Sequence, residues 1–208
     1  MKPIKIVVVI FMLVTLGCFT TACSEHRISR LSAETPVDYS QYGKPPIPAK
    51  ILLLFPAEFE RFEHIANFET GGIRYTLGRD AELEMRNAFG IEFAKIEIWA
   101  VRSEARAMEM LSPNDPENAR VRAYDYVAIP KFLRVDSMED KEQYGFEINL
   151  QVEFTANNGS IVTIRGHGES MIGKDALSTR EKGASLALQY AVSALLDGIE
   201  KRRNLFVQ

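Results

Sequence analysis

Two cysteines, three histidines and scattered serines and carboxylates are the residues of this 208-residue chain able to do chemistry. Cys18 and Cys23 stand close together in "TLGCFTTACSEHR", residues 15–27. A redox pair, a pair of metal ligands or a point of covalent attachment would each use such thiols. The histidines are dispersed: His26 follows Cys23, His64 sits in an aromatic-rich stretch, and His167 lies in "GHGES", residues 166–170. A histidine-based metal or hydrolytic centre needs a cluster, and no cluster is visible. There is no "HExxH" pair and no phosphate-cradling "GxxxxGK[ST]", and "GHGES" lacks the third glycine and the strand-to-helix setting of a dinucleotide site.

His167, Glu169 and Ser170 suggest a proton relay by proximity alone. Neighbours along a strand point to opposite faces, so Ser170 turns away from His167 and Glu169, and no triad forms. Glu147 and Glu153 share a face of the same expected hairpin, where paired carboxylates give solubility; acid–base work would require a cleft. The expectation is therefore a protein that is not an enzyme, with no metal and no cofactor.

The flanks of the cysteines decide among the thiol chemistries. Lys2 and Lys5 precede "IVVVIFMLVTLG", an uncharged run of 12 residues from Ile6 to Gly17. That is the layout of an export signal and is too short for a span of about 20 apolar residues. The stretch resembles the signal of bacterial lipoproteins, in which small side chains precede a cysteine that receives a lipid before cleavage. Thr20, Thr21 and Ala22 before Cys23 fit that pattern better than Leu16 and Gly17 before Cys18, which remains the alternative. The resemblance implies a lipid on Cys23, a mature chain without any cysteine, and stable anchoring by two or more acyl chains. By the same resemblance Ser24, which is not aspartate, permits transfer to the outer membrane, with the protein on its periplasmic face.

Removal of residues 1–22 takes away only Lys2 and Lys5, which leaves 23 basic against 28 acidic residues and a formal charge of −5. A nucleic-acid partner, which calls for a basic surplus or stripe, is not expected. Residues 23–49 are polar and broken by Pro36, Pro45, Pro46 and Pro48, and read as a tether, or alternatively as an arm packed on the domain.

Residues 50–208 read as a single α/β or α+β domain: a mixed sheet with a C-terminal hairpin and a few packed helices, the last one long. "KILLLF" (50–55) has the continuous apolar character of a buried strand. Gly71 and Gly72 between Phe68 and Ile73 suggest a hairpin. "RDAELEMRNAFG" reads as a helix from about Arg79 that Gly90 ends, with Ala81, Met85, Ala88 and Phe89 inward. "EFAKIEIWAV" alternates as a strand, placing Trp99 with Lys95 and Glu97 opposite Ile96 and Ile98. A short helix is expected after Ser103, then a mobile loop at "SPNDPENAR", then a strand crossed by Pro130.

From Tyr144 to Phe154 every second residue is apolar. A three-residue turn with Gly159 left-handed sets Phe154 opposite Val162 and Val152 opposite Ile164, whereas a two-residue turn would mix the faces. The three-residue register places Gln151 beside Arg165 and Asn149 beside His167, and puts Gly166 and Gly168 on the apolar side, where they leave room for close approach. The last helix, with a capping-box spacing at Ser178 and Glu181 and small residues Ala184, Ala187, Ala191 and Ala194, is the expected occupant; its basic end suits the helix dipole. Trp99, Arg165 and His167 on the polar sheet face are the candidate interface residues.

"AKILLLF", "YTLGRDAELEMRNAFG", "YDYVAIPKF", "EFTANNGSIVTIRGHGES" and the alanine-rich final helix resemble, in their placement, the small envelope lipoprotein domains grouped around the N-terminal domain of TolB, the curli-secretion lipoprotein and the peptidoglycan-synthase activators. That resemblance implies non-enzymatic work in envelope assembly or export, sometimes as a ring, and carries over no functional residue. Its implied partners are envelope proteins, the membrane and further copies of the chain. A regulator of a periplasmic cell-wall synthase is the alternative, and an envelope hydrolase a second.

Overall fold

The computed structural model describes residues 27–29, 39, 45–69, 71–174 and 179–207. The expected signal segment, Cys18, Cys23, His26 and Ser178 lie outside the described residues. In chain order come β1 (Arg27–Ser29), β2 (Ile47–Pro56), α1 (Ala57–Glu60), β3 (Glu63–Phe68), β4 (Gly71–Thr76), α2 (Leu77–Glu92), β5 (Phe93–Val101), α3 (Glu104–Glu109), α4 (Asn118–Val121), β6 (Tyr126–Glu139), β7 (Gln143–Ala156), β8 (Ile161–Gly173) and α5 (Thr179–Glu200), closed by a 3₁₀ turn at Arg203–Leu205. A five-stranded sheet has the order β5-β2-β6-β7-β8, and a three-stranded sheet the order β1-β4-β3. In the larger sheet β5, β2 and β6 run parallel, while β7 is antiparallel to both neighbours. This is the mixed-sheet α/β domain with terminal hairpin and long last helix that the apolar patterns indicate.

β2 shows why its sequence does not alternate. Ile51, Leu53 and Phe55 join the main core, and Leu52 and Leu54 join a smaller core on the other face with Ala107, Met110, Val121 and Val127. A strand covered on both faces needs apolar residues at every position. Next to it, β6 crosses Pro130 without loss: Pro130 faces Val152 of β7 and lies beyond Ala128, the last residue paired with β2. Its missing N–H therefore removes no ladder bond.

Several boundaries differ from expectation. α2 begins at Leu77 and passes through Gly90 to Glu92. Burial of Phe93, 5.9 Å from the Phe89 ring and paired with Ile47, sets its end. Ala81, Met85, Ala88 and Phe89 do face the core. The expected tether touches the domain at three places: Arg27–Ser29 pairs with β4, the buried Tyr39 hydroxyl donates to Glu84 at 2.9 Å, and Ile47 is already part of β2. At Tyr39 and Ile47 the chain buries apolar surface that a free tether would leave in water. In the expected mobile loop, Asp115 pairs with Arg106 and accepts the Glu117 N–H at 2.9 Å. The hydrogen bond from Arg106 holds the Asp115 carboxyl below the usual carboxylate range. Ser103 caps α3 by accepting the Arg106 N–H at 3.1 Å.

Candidate interaction surface

The β7–β8 hairpin positions most of the singled-out residues. Gly159 has φ +84°, the left-handed conformation that the three-residue turn requires, and the register is Phe154 opposite Val162 and Val152 opposite Ile164. Tyr144, Phe146, Ile148, Leu150, Val152 and Phe154 are all buried beneath the helices. On β8 the inward positions include Gly166 and Gly168. A Cβ there would lie 2.0 Å from the Ala191 carbonyl oxygen and 1.9 Å from that of Ala187, so the backbone of α5 rests directly on the strand. Ser170, also inward, donates to the Gly183 carbonyl at 2.7 Å, on the face opposite His167.

The outward face is polar and laddered. Arg165 Nε donates to Gln151 Oε1 at 3.1 Å, and His167 Nδ1 lies 3.1 Å from Asn149 Oδ1 and 3.8 Å from Glu147 Oε1. Asn149 in turn donates to Glu147 at 2.8 Å. These are cross-strand polar pairs of the kind that stabilise a sheet modestly.

Trp99 does not join them. It shares the face of Arg165 and His167 but sits on β5, at the opposite edge of the sheet, and α3 and α4 cover the strands beside it. Its indole N–H donates to Glu97 at 2.9 Å, Tyr124 meets it edge-on at 6.3 Å, and the Arg120 guanidinium lies 4.6 Å over the ring. Hydrogen bonds from Tyr124 and Trp99 hold Glu97 below its ordinary pKa, while burial and that same bond push Tyr124 up to about 12. Trp99 is thus half-buried in a satisfied local cluster, and the expected common surface of Trp99, Arg165 and His167 divides into two separate regions.

His64 is equally isolated: its Nε2 lies 2.9 Å from Ser137 Oγ, and burial lowers its pKa. Among the described residues no group of three or more histidine, cysteine, aspartate or glutamate side chains converges to hold a metal. No described helix is long and apolar enough to cross a membrane.

Two residues near Arg165 escape the sequence reading. Lys201 and Arg202, at the end of α5, line a groove of about 750 Å³ together with Arg165, Gln151 and Thr163. Their signal in the sequence, "EKRR", reads first as complement to the helix dipole, and only the packing of α5 across β8 brings them to the strand edge.

No family model and no curated protein matches the chain. Among solved structures it is similar to a protein of Xanthomonas campestris described under the family model DUF330, with a TM-score of 0.55 and 12% identity over 86% of this chain and 96% of that one. Weaker likenesses are to the PelC dodecamer of Paraburkholderia phytofirmans (TM-score 0.38, 17% identity, 73% of this chain and 90% of that one) and to lipoprotein GNA1162 of Neisseria meningitidis (TM-score 0.33, 12% identity, 74% and 99%). At these identities the Xanthomonas likeness shows the fold alone.

Proposed function

We propose that this chain is a lipid-anchored periplasmic protein of the outer membrane that works without catalysis, as a scaffold or accessory subunit of an envelope assembly or export system. The observation that carries this reading is the amino-terminal layout: Lys2 and Lys5, the apolar run from Ile6 to Gly17, and Thr20, Thr21 and Ala22 directly before Cys23. An address of this kind restricts the protein to the envelope. The open face of β7 and β8 is a ladder of polar side chains, which suits contact with other proteins.

Lipid labelling in intact cells tests the anchor. Cys23→Ser abolishes incorporation of labelled palmitate and releases the protein from the membrane fraction, while Cys18→Ser leaves both unchanged. The reverse pattern moves the mature start to Cys18, and labelling of neither removes the anchor from the proposal. Crosslinking in intact cells then tests the scaffold role. Recovery of a cell-wall synthase as the sole partner, with the protein monomeric in detergent, overturns it.

A further inference from the structure

Among the described residues β8 is the outermost strand of the five-stranded sheet and its outer edge has no strand partner; that edge runs beside the carboxyl end of α5. The hairpin fixes which backbone groups face outward. The Ala156 N–H donates to the Ser160 carbonyl at 2.9 Å, so in steps of two Phe154, Val152 and Leu150 exchange bonds with Val162, Ile164 and Gly166. The amides and carbonyls of Thr163, Arg165 and His167 therefore point away from the sheet. Arg202 Nη1, 3.5 Å from the Thr163 carbonyl oxygen, marks the same direction.

Charge gathers along this edge against the sign of the whole molecule, whose formal charge is −3. Arg165, Lys201 and Arg202 line the groove of about 750 Å³, and no carboxylate among the described residues lines it. The Nε of Arg165 is fixed on Gln151, a side chain only 7% exposed, which holds the guanidinium at the groove and leaves its two terminal nitrogens without a protein partner among the described residues. Lys201 Nζ has none there either. Arg165 projects on the open face of the sheet, while Lys201 and Arg202 directly follow α5, which packs on the covered face, so the cations flank the strand edge from both sides.

We propose that this groove receives an extended acidic segment of a partner protein, which adds to the sheet as a sixth strand along β8. Successive side chains of a strand alternate between faces. A run of adjacent acidic residues would thus meet Arg165 on one side and Lys201 and Arg202 on the other, drawing the Arg202 guanidinium off the Thr163 carbonyl so that the segment's backbone pairs with Thr163 and Arg165. A free phosphate fits less well, because it would answer the cations but leave the outward carbonyls of the same edge facing an anion. The proposal goes beyond the scaffold reading and does not depend on which cysteine is acylated.

The test titrates the full chain in detergent into a fluorescein-labelled extended peptide with a central glutamate-aspartate-glutamate run, read by anisotropy. Expected are saturable binding that weakens as salt rises, no binding of the glutamine-asparagine-glutamine analogue, and a loss of about tenfold or more in affinity for R165Q/K201Q with unchanged thermal unfolding. The same acidic peptide N-methylated at alternate backbone amides keeps its charge and is expected to lose about tenfold as well. Absence of saturable binding, or equal binding by R165Q/K201Q, overturns the site. Equal binding of the N-methylated peptide overturns strand addition and leaves only an anion groove.

Discussion

The two faces of strand β8 use neighbouring residues under opposite constraints. On the covered face Gly168 lies against the backbone of α5, with space for no atom beyond its hydrogens; one residue earlier, His167 projects to solvent beside Asn149. The covered face holds the domain together by close packing, and the open face is free to vary its chemistry. A protein that works through contacts needs both: an interior that fixes the strand, and an exposed ladder that the interior does not dictate.

The largest expected effect is on the covered face. Gly168→Ala places a methyl 1.9 Å from the Ala187 oxygen and 2.4 Å from the Ala191 nitrogen, and backbone atoms cannot rotate aside as a flexible side chain would. Overpacking of this kind costs about 3 kcal/mol or more, and urea denaturation of the variant should show it as a lowered midpoint. An unchanged midpoint would mean that α5 rides higher on the sheet than described. Leu150→Ala, which empties a fully buried position between β7 and the helices, should cost about 2–5 kcal/mol by the same measurement.

The hairpin was readable because its information is local. Alternation from Tyr144 to Phe154 and one turn glycine determine the register, which in turn brings Gln151 to Arg165 and Asn149 to His167, and the paired glycines imply a close neighbour. What was not readable depends on strand order. Periodicity correctly puts Trp99 on the same face as Arg165, but nothing in it says that β5 and β8 lie at opposite edges with two helices covering the strands beside Trp99. Nor does sequence distance reveal that Lys201 and Arg202 come back to Arg165, since that contact exists only once α5 has packed across the strand. The contacts of Arg27–Ser29 and Tyr39 were hidden by the prolines and polar residues around them.

At the far end of the same strand, an ion pair joins the end of β6 to the residue that follows β8. Glu139 and Lys174 meet at 2.8 Å, and Glu139 also accepts the Glu69 N–H at 2.6 Å. Burial would raise the Glu139 pKa, but Lys174 and that N–H outweigh it and hold the carboxyl below its ordinary value; the bond with Glu139 raises Lys174. Glu139 titrates lower in the folded than in the unfolded chain, so its contribution is complete above the ordinary carboxylate range and is lost as pH falls through the depressed value. Lys174 titrates higher when folded, so its contribution is complete below the ordinary lysine range and is lost as pH rises through the raised value. Thermal melts across pH should fall off on the acid side less steeply in Glu139→Gln than in the parent chain. Equal slopes would show that the pair does not tie β6 to the end of β8.

The smallest expected effect returns to the neighbour of Gly168. His167→Ala removes a side chain that is 54% exposed, together with its contact to Asn149 and its 3.8 Å approach to Glu147. Surface pairs of this kind contribute little, because water competes for every group involved, and the change should lie within about 0.5 kcal/mol by the same denaturation. Gly168→Ala, one position on, should differ from it by several-fold. A large loss for His167→Ala would mean that the open face is covered in solution, and the dependence of that loss on protein concentration would distinguish a second copy of the chain from an intramolecular cover, since only association weakens on dilution.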